Sequence, residues 1–290
     1  MSIVVYVNGT ISDAKSAVVP VLDHGLLFGE GIYETLRTYN RTLFLWEPHM
    51  ARLRTSASML ELPVPWSDAE LHEHATATMA ALKGDAESYV RILVTRGVGD
   101  LSYDPAQCPT PSLIIIAKEH VSPSAEAFEA GVAVARVSII RNHPESVNPI
   151  IKSNNLLNNA LAMQQALKRG AVEALMKNYR GEYCECSQSN FFLVKDGVAI
   201  TPGLESGLLR GVTRDFLFAV GAEVGVPVRE AVIRDPEIRS ADEMFLTSST
   251  REVLPVVRVD ENAVGTGRPG PVTRKLLDGY RRAADRLTRR

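Results

Sequence analysis

Apolar and polar positions switch between two periods along this chain, and the switches mark out a mixed α/β polypeptide. "VVYV" before Asn8-Gly9 has the signature of a tight hairpin. "GIYETLRTY" and "TLFLW" on either side of Asn40-Arg41 predict a second hairpin. Trp46-Glu47-Pro48 opens a helix predicted to run through Met59, with Pro48 tolerated in its first turn. In "SDAELHEHATATMAALKG", Ser67 and Glu70 are spaced as a capping box, and Gly84 sits where a C-terminal glycine belongs. "SYVRILVTRGVGD" and "PSLIIIAKEH" read as strands, and the Gly97–Pro111 loop between them is a candidate binding element or lid.

A boundary is expected near "VSPSAEAFEAG". Past it come a strand, the Pro144–Pro149 loop and a helix ended by Gly170. In that helix Leu156, Ala160, Met163 and Leu167 recur at helical spacing and are expected to face the core. Strands "EALMKN", "EYCEC", "FFLVKD" and "VAITP" follow, with turns at Arg180-Gly181 and Asp196-Gly197. Helix "TRDFLFAVGAEVG", strands "EMFLT" and "VLPVVRV", and a terminal helix complete the chain.

Length and charge narrow the classes. At 290 residues two domains are the default, here 1–122 and 131–290 joined by a linker over 123–130. A formal charge of −2 with no strongly basic stripe argues against a nucleic-acid partner. The basic end "YRRAADRLTRR" reads as a helix with a solvated face. "MSIVVYVNGT" lacks the regions of a signal peptide, and the longest clean apolar run, Leu113 to Ala117, is too short to span a bilayer. Cys184 and Cys186 are expected to point the same way along one strand, without the further Cys or His a metal site needs. A reduced, cytoplasmic compartment fits three cysteines that cannot all pair.

The chemistry centres on Pro149-Ile150-Ile151-Lys152-Ser153-Asn154-Asn155. Two isoleucines lead a lysine toward a core, and Ser153 or Asn154 can cap the next helix. A lysine so placed is expected to serve as the nucleophilic amine that Schiff-base chemistry requires. The run "IKSNNLLNNALA", followed in order by "ECSQSNFFLVKDG", "GLLRGVTRD", "FLTSSTREVLPV" and "GRPGPVTRKLL", resembles the class IV (fold type IV) pyridoxal-phosphate aminotransferases. The similarity covers nearly the whole chain.

That resemblance implies a smaller N-terminal α/β domain, a larger, mostly β cofactor-binding domain with helices, and pyridoxal 5′-phosphate as cofactor. It casts Lys152 as the cofactor's lysine and as general acid and base. In the pattern E-x-x-x-x-N, Glu185 aligns with the family's partner of the pyridine nitrogen, and Asn190 closes the pattern. Gly211, Val212 and Thr213 at a helix start, Ser248 and Ser249 after a strand, and Arg52 are the expected phosphate contacts. Tyr33 with Arg37 and Tyr89 with Arg91, alternating along two strands, are the substrate candidates, together with Phe28 and Thr250. The resemblance also implies amino-acid and 2-oxo-acid substrates and at least a homodimer, with the Gly97–Pro111 loop as the element that crosses to the neighbour.

Substrate class rests on departures. Leu101 and Tyr103 stand where D-amino acid aminotransferases of the bacillar type carry Arg and His. "RGVGDLSYDP" departs from the arginine-rich segment of aminodeoxychorismate lyases. Against a branched-chain enzyme, Leu156 and Phe28 stand in for frequent tyrosines and "ETLR" for "EGIR". The expectation is transfer from Leu, Ile or Val to 2-oxoglutarate by a ping-pong route. A D-amino acid or (R)-amine transaminase, an aminodeoxychorismate lyase and a degenerate cofactor-binding protein are the alternatives.

Overall fold

The computed structural model describes residues 2–289 and divides into two compact units. The first comprises residues 2–121, 151–155 and 288–289; the second comprises 122–150 and 156–287. This corrects the expected boundaries in two respects. The 123–130 stretch holds a capped helical turn of the second unit, because Ser124 accepts from the backbone of Ala127. The Lys152 segment returns to the first unit, where Ser153 bridges Ile32 in strand fashion.

In the first unit, strands β1 (Ile3–Val7) and β2 (Thr10–Asp13) form a hairpin and precede the short helix α1 (His24–Leu27). Strands β3 (Gly31–Tyr39) and β4 (Thr42–Leu43) form the second hairpin. Its turn residues Asn40 and Arg41 both have positive φ, as a tight two-residue turn demands. Helices α2 (Trp46–Met59) and α3 (Asp68–Ala80) are followed by strands β5 (Ser88–Thr95) and β6 (Ser112–Glu119). The Ser67–Glu70 capping box starts α3 as expected. The strands run β2-β1-β6-β5-β3-β4. One sheet face buries Ile32, Leu36, Val90, Ile92, Val94, Leu113 and Ile115 against apolar residues of α2 and α3.

The second unit contains helix α4 (Ala125–Glu129), strand β7 (Val132–Arg136), helix α5 (Leu157–Leu167) and strands β8 (Glu173–Lys177), β9 (Tyr183–Cys186), β10 (Asn190–Lys195) and β11 (Val198–Thr201). Helix α6 (Val212–Val224), strand β12 (Val228–Glu230), helix α7 (Asp235–Ser240), strands β13 (Glu243–Ser248), β14 (Glu252–Val259) and β15 (Asn262–Ala263), and helix α8 (Pro271–Thr288) follow. The sheet runs β12-β11-β10-β13-β14-β7-β8-β9, with β15 on β14. Its pairing is mixed: β7 joins both β14 and β8 in parallel and β11 joins β12 in parallel, while the other neighbours are antiparallel.

Helix α5 corrects another expectation. Ala162 and Ala166 are its buried residues, with Met163 half-buried, whereas Ala160, Leu157 and Leu167 are exposed. Small side chains allow close approach to the strands beneath, and periodicity alone cannot choose the docking face. Cys184 and Cys186 are buried thiols. Burial pushes Cys184 up to about 12 and Cys186 well above the ordinary thiol value, which makes both inert. Among the described residues no cluster of His, Cys, Asp or Glu is placed to hold a metal, and no helix is long and apolar enough to cross a membrane.

Candidate active site

The first unit assembles one cluster around Lys152. The Lys152 carbonyl accepts from Tyr33 N at 2.9 Å, its own N–H donates to Ser56 Oγ at 3.0 Å, and Asn154 N donates to Gly31 O at 3.0 Å. These bonds lay residues 152–154 along the start of β3. The chain direction then places Lys152 Nζ 4.5 Å from the centroid of the Tyr33 ring. Across the sheet, Tyr33 pairs with Leu93, Thr35 with Arg91 and Arg37 with Tyr89, so all six share the face away from the core. Arg91 lies 3.9 Å from the Tyr33 ring centroid. The alternation read from the sequence thus brings Tyr33, Arg91 and Lys152 together. Arg37 is buried and stacks on Tyr39 at 4.1 Å. Phe28, just before β3, is edge-on to His24 and 4.9 Å from the Tyr103 ring.

The opposite face of β3 carries a buried charge cluster. Glu34 is fully buried and accepts from Arg52 Nε and Nη2, each at 2.7 Å, and from His49 Nδ1 at 2.6 Å. Burial alone would raise the Glu34 carboxyl, but Arg52 and His49 outweigh it and hold it far below the usual carboxylate range. Burial likewise lowers His49, partly offset by Glu34, so its ring is neutral at pH 7 and donates from Nδ1. Arg52, expected to offer its guanidinium fork to phosphate, gives two nitrogens of that fork to Glu34. Nothing in the local sequence pointed to Glu34 or His49. Their partners lie 15 and 18 residues apart and meet only when α2 packs on β3.

The second unit assembles another cluster around Glu185. Its carboxylate is buried and accepts from Arg141 Nε at 2.6 Å, from Leu209 N at 3.1 Å and from Asn190 Nδ2 at 3.5 Å. Arg141 is fixed by its own backbone N–H, which donates to Lys177 O at 2.9 Å. Sequence reasoning missed Arg141, 44 residues from its partner. Asn190 also donates to Leu209 O at 2.9 Å, so its amide braces the turn before α6. That turn needs glycine, because a Cβ on Gly211 would fall 1.9 Å from Asn190 Oδ1. Gly211 is the N-cap of α6 without a side-chain cap, which leaves the first N–H groups of this 13-residue helix, including those of Val212 and Thr213, without an intrahelical or capping acceptor.

On the neighbouring strand, Thr247 pairs with Asn190 and so shares its face. Its hydroxyl is buried with no hydrogen-bond partner among the described residues. Ser248, Ser249 and Thr250 follow in a half-buried turn closed by Arg251 N donating to Ser248 O at 3.2 Å. A carboxylate, an uncapped helix start and an orphan hydroxyl suit a ligand with a protonated ring nitrogen and a phosphate. These residues fit pyridoxal phosphate.

Residues 31–259 match the family described as amino-transferase class IV. The chain belongs to the class IV aminotransferases, enzymes that depend on pyridoxal phosphate. Over 96% of its length it is 34% identical to "Putative branched-chain-amino-acid aminotransferase" of Methanocaldococcus jannaschii, covering 95% of that protein. It is 35% identical over 94% of its length to the D-alanine aminotransferase of Listeria monocytogenes, covering 93% of it. The Escherichia coli branched-chain amino acid aminotransferase superposes with a TM-score of 0.90 at 31% identity, covering 95% of this chain and 92% of that one.

Proposed function

We propose that the enzyme moves the amino group of a branched-chain L-amino acid to 2-oxoglutarate in two half-reactions. The observation that carries this reading is Arg91. It is half-buried, stacked on Tyr33 on the sheet face that also bears Lys152, and no carboxylate pairs with it among the described residues. A guanidinium left without an internal anion suits a substrate carboxylate. The apolar neighbours on that face, Leu93 opposite Tyr33 and Ile116 opposite Arg91, suit an aliphatic side chain.

When bound, pyridoxal phosphate supplies an electron sink for charge developing at the substrate's α-carbon. In this reading Lys152 holds the cofactor and moves the proton at that carbon. Glu185, kept in place by Arg141 and Asn190, faces the ring nitrogen. The N–H groups of Val212 and Thr213 and the hydroxyls of Ser248 and Ser249 hold the phosphate, while Arg52 stays committed to Glu34. Tyr33, Arg37, Tyr89, Phe28 and Thr250 shape the substrate's surroundings.

A second copy of the chain belongs to this reading. Val18, Val21, Leu26, Leu101 and Tyr103 are 65–82% exposed in the first unit, the last two on the Gly97–Pro111 loop. Exposed apolar side chains in such numbers favour a homodimer with that loop in its interface. The D-alanine aminotransferase relative motivates a second reading, a D-amino acid donor. A panel of L- and D-amino acids, (R)-amines and aminodeoxychorismate, with 2-oxoglutarate and pyruvate as acceptors, decides between them. The proposal expects L-Leu, L-Ile and L-Val with 2-oxoglutarate to dominate. Preference for D-alanine, or pyruvate release from aminodeoxychorismate, would overturn it.

A further inference from the structure

One buried carboxylate is not accounted for by the roles above. Glu173, at the start of β8, is fully buried, yet its four hydrogen-bond donors all come from two loops and none from its own strand neighbours. One oxygen accepts from Ser187 Oγ and from Gln188 N at 3.0 Å; the other accepts from Ser189 Oγ at 3.1 Å and from Arg251 Nη1. Arg251 also reaches the first loop directly, donating from Nη2 to Gln188 Oε1 at 3.3 Å. The first loop joins β9, which bears Glu185, to β10, which begins at Asn190. The second is the turn after β13 that bears Ser248, Ser249 and Thr250.

Burying a charge is costly unless every lone pair finds a donor, and here each oxygen has two. Such an arrangement ties both loops to one carboxylate. A glutamine in this position would turn an N–H₂ group toward donors and leave Arg251 without its anion.

We propose that Glu173 and Arg251 are positioning residues that pin the Ser248–Thr250 turn, and with it the donors this turn offers to the cofactor phosphate. The inference rests on reading that turn as part of the phosphate cradle.

The test compares apo-protein affinities for pyridoxal phosphate and for pyridoxal, which lacks the phosphate, in Arg251→Ala, Arg251→Lys, Glu173→Gln and the Arg251→Ala/Glu173→Gln double variant. Thermal unfolding of each apo variant is followed in parallel. The pin predicts pyridoxal phosphate binding weakened by about tenfold or more, equivalent to about 1.4 kcal/mol, with pyridoxal binding nearly unchanged. It also predicts partial recovery in Arg251→Lys and a double variant little worse than Arg251→Ala alone. Equal weakening of both ligands, or of neither, would overturn it, whatever happens to the unfolding temperature. Arg251 is partly exposed, so its variants provide the answer should Glu173→Gln fail to fold. Ser249→Ala separates the two possible failures. If it lowers the preference for the phosphorylated ligand and Arg251→Ala does not, the pin alone is wrong; if neither does, the cradle reading falls with it.

Discussion

The two faces of strand β3 use charge in opposite ways. On the core side, Glu34, Arg52 and His49 close on one another, and every charge there has an answering group. On the other side Arg91 and Lys152 both lie against the Tyr33 ring, and no carboxylate of the described residues pairs with Arg91. Residues one position apart in sequence therefore belong to different economies. Charge paired internally holds the fold, and charge left open waits for a ligand. A substitution on one side should be read in stability, and on the other in turnover.

Lys152→Ala should give the largest effect. If its amine carries the proton as proposed, its loss is expected to cut turnover by roughly 10²–10⁴-fold or more, with the unfolding temperature of the apo protein little changed. Steady-state kinetics and calorimetry on one preparation check both halves. Glu34→Gln should come next and in the opposite currency: breaking a buried ion pair from one side costs about 3–5 kcal/mol of stability, measured by urea unfolding. Arg91→Leu is expected to lower kcat/KM for 2-oxoglutarate by roughly 10–150-fold, the equivalent of about 1.5–3 kcal/mol, without a comparable loss in unfolding midpoint. A stability loss as large as that of Glu34→Gln would erase the contrast between the faces.

Acid should produce the smallest and most graded effect. Glu34 is depressed in the folded chain, so its contribution is complete above the ordinary carboxylate value near 4.3 and declines as pH falls below it. His49 is also lowered, so the unfolded chain takes up a proton below about 6.5 that the folded chain refuses, which again favours unfolding in acid. Unfolding free energy should therefore fall from pH 6.5 downward and more steeply below about 4.3. Glu34→Gln should flatten the lower part of that profile; an unchanged profile would contradict the assignment.

Legibility followed the range of the interaction. Hairpin turns, the Ser67–Glu70 capping box and helix α2 were readable because their causes lie within a few residues. The shared face of Tyr33, Arg37, Tyr89 and Arg91 was readable because strand alternation is a local rule. Arg141 with Glu185, Glu173 with Arg251 and Glu34 with Arg52 were not, since each pair is separated by 18 to 78 residues and created by packing. The same limit explains α5, whose apolar spacing fitted several faces while the sheet selected its alanines. It also explains why the Lys152 segment, central in sequence, sits with the N-terminal strands.

The central claim, that Lys152 is the residue bearing the cofactor, has a direct test. Borohydride reduction of the cofactor-saturated enzyme, followed by proteolysis and peptide mapping, should place a single pyridoxyl tag on Lys152. A tag on a different lysine, or none in saturated protein, would contradict it.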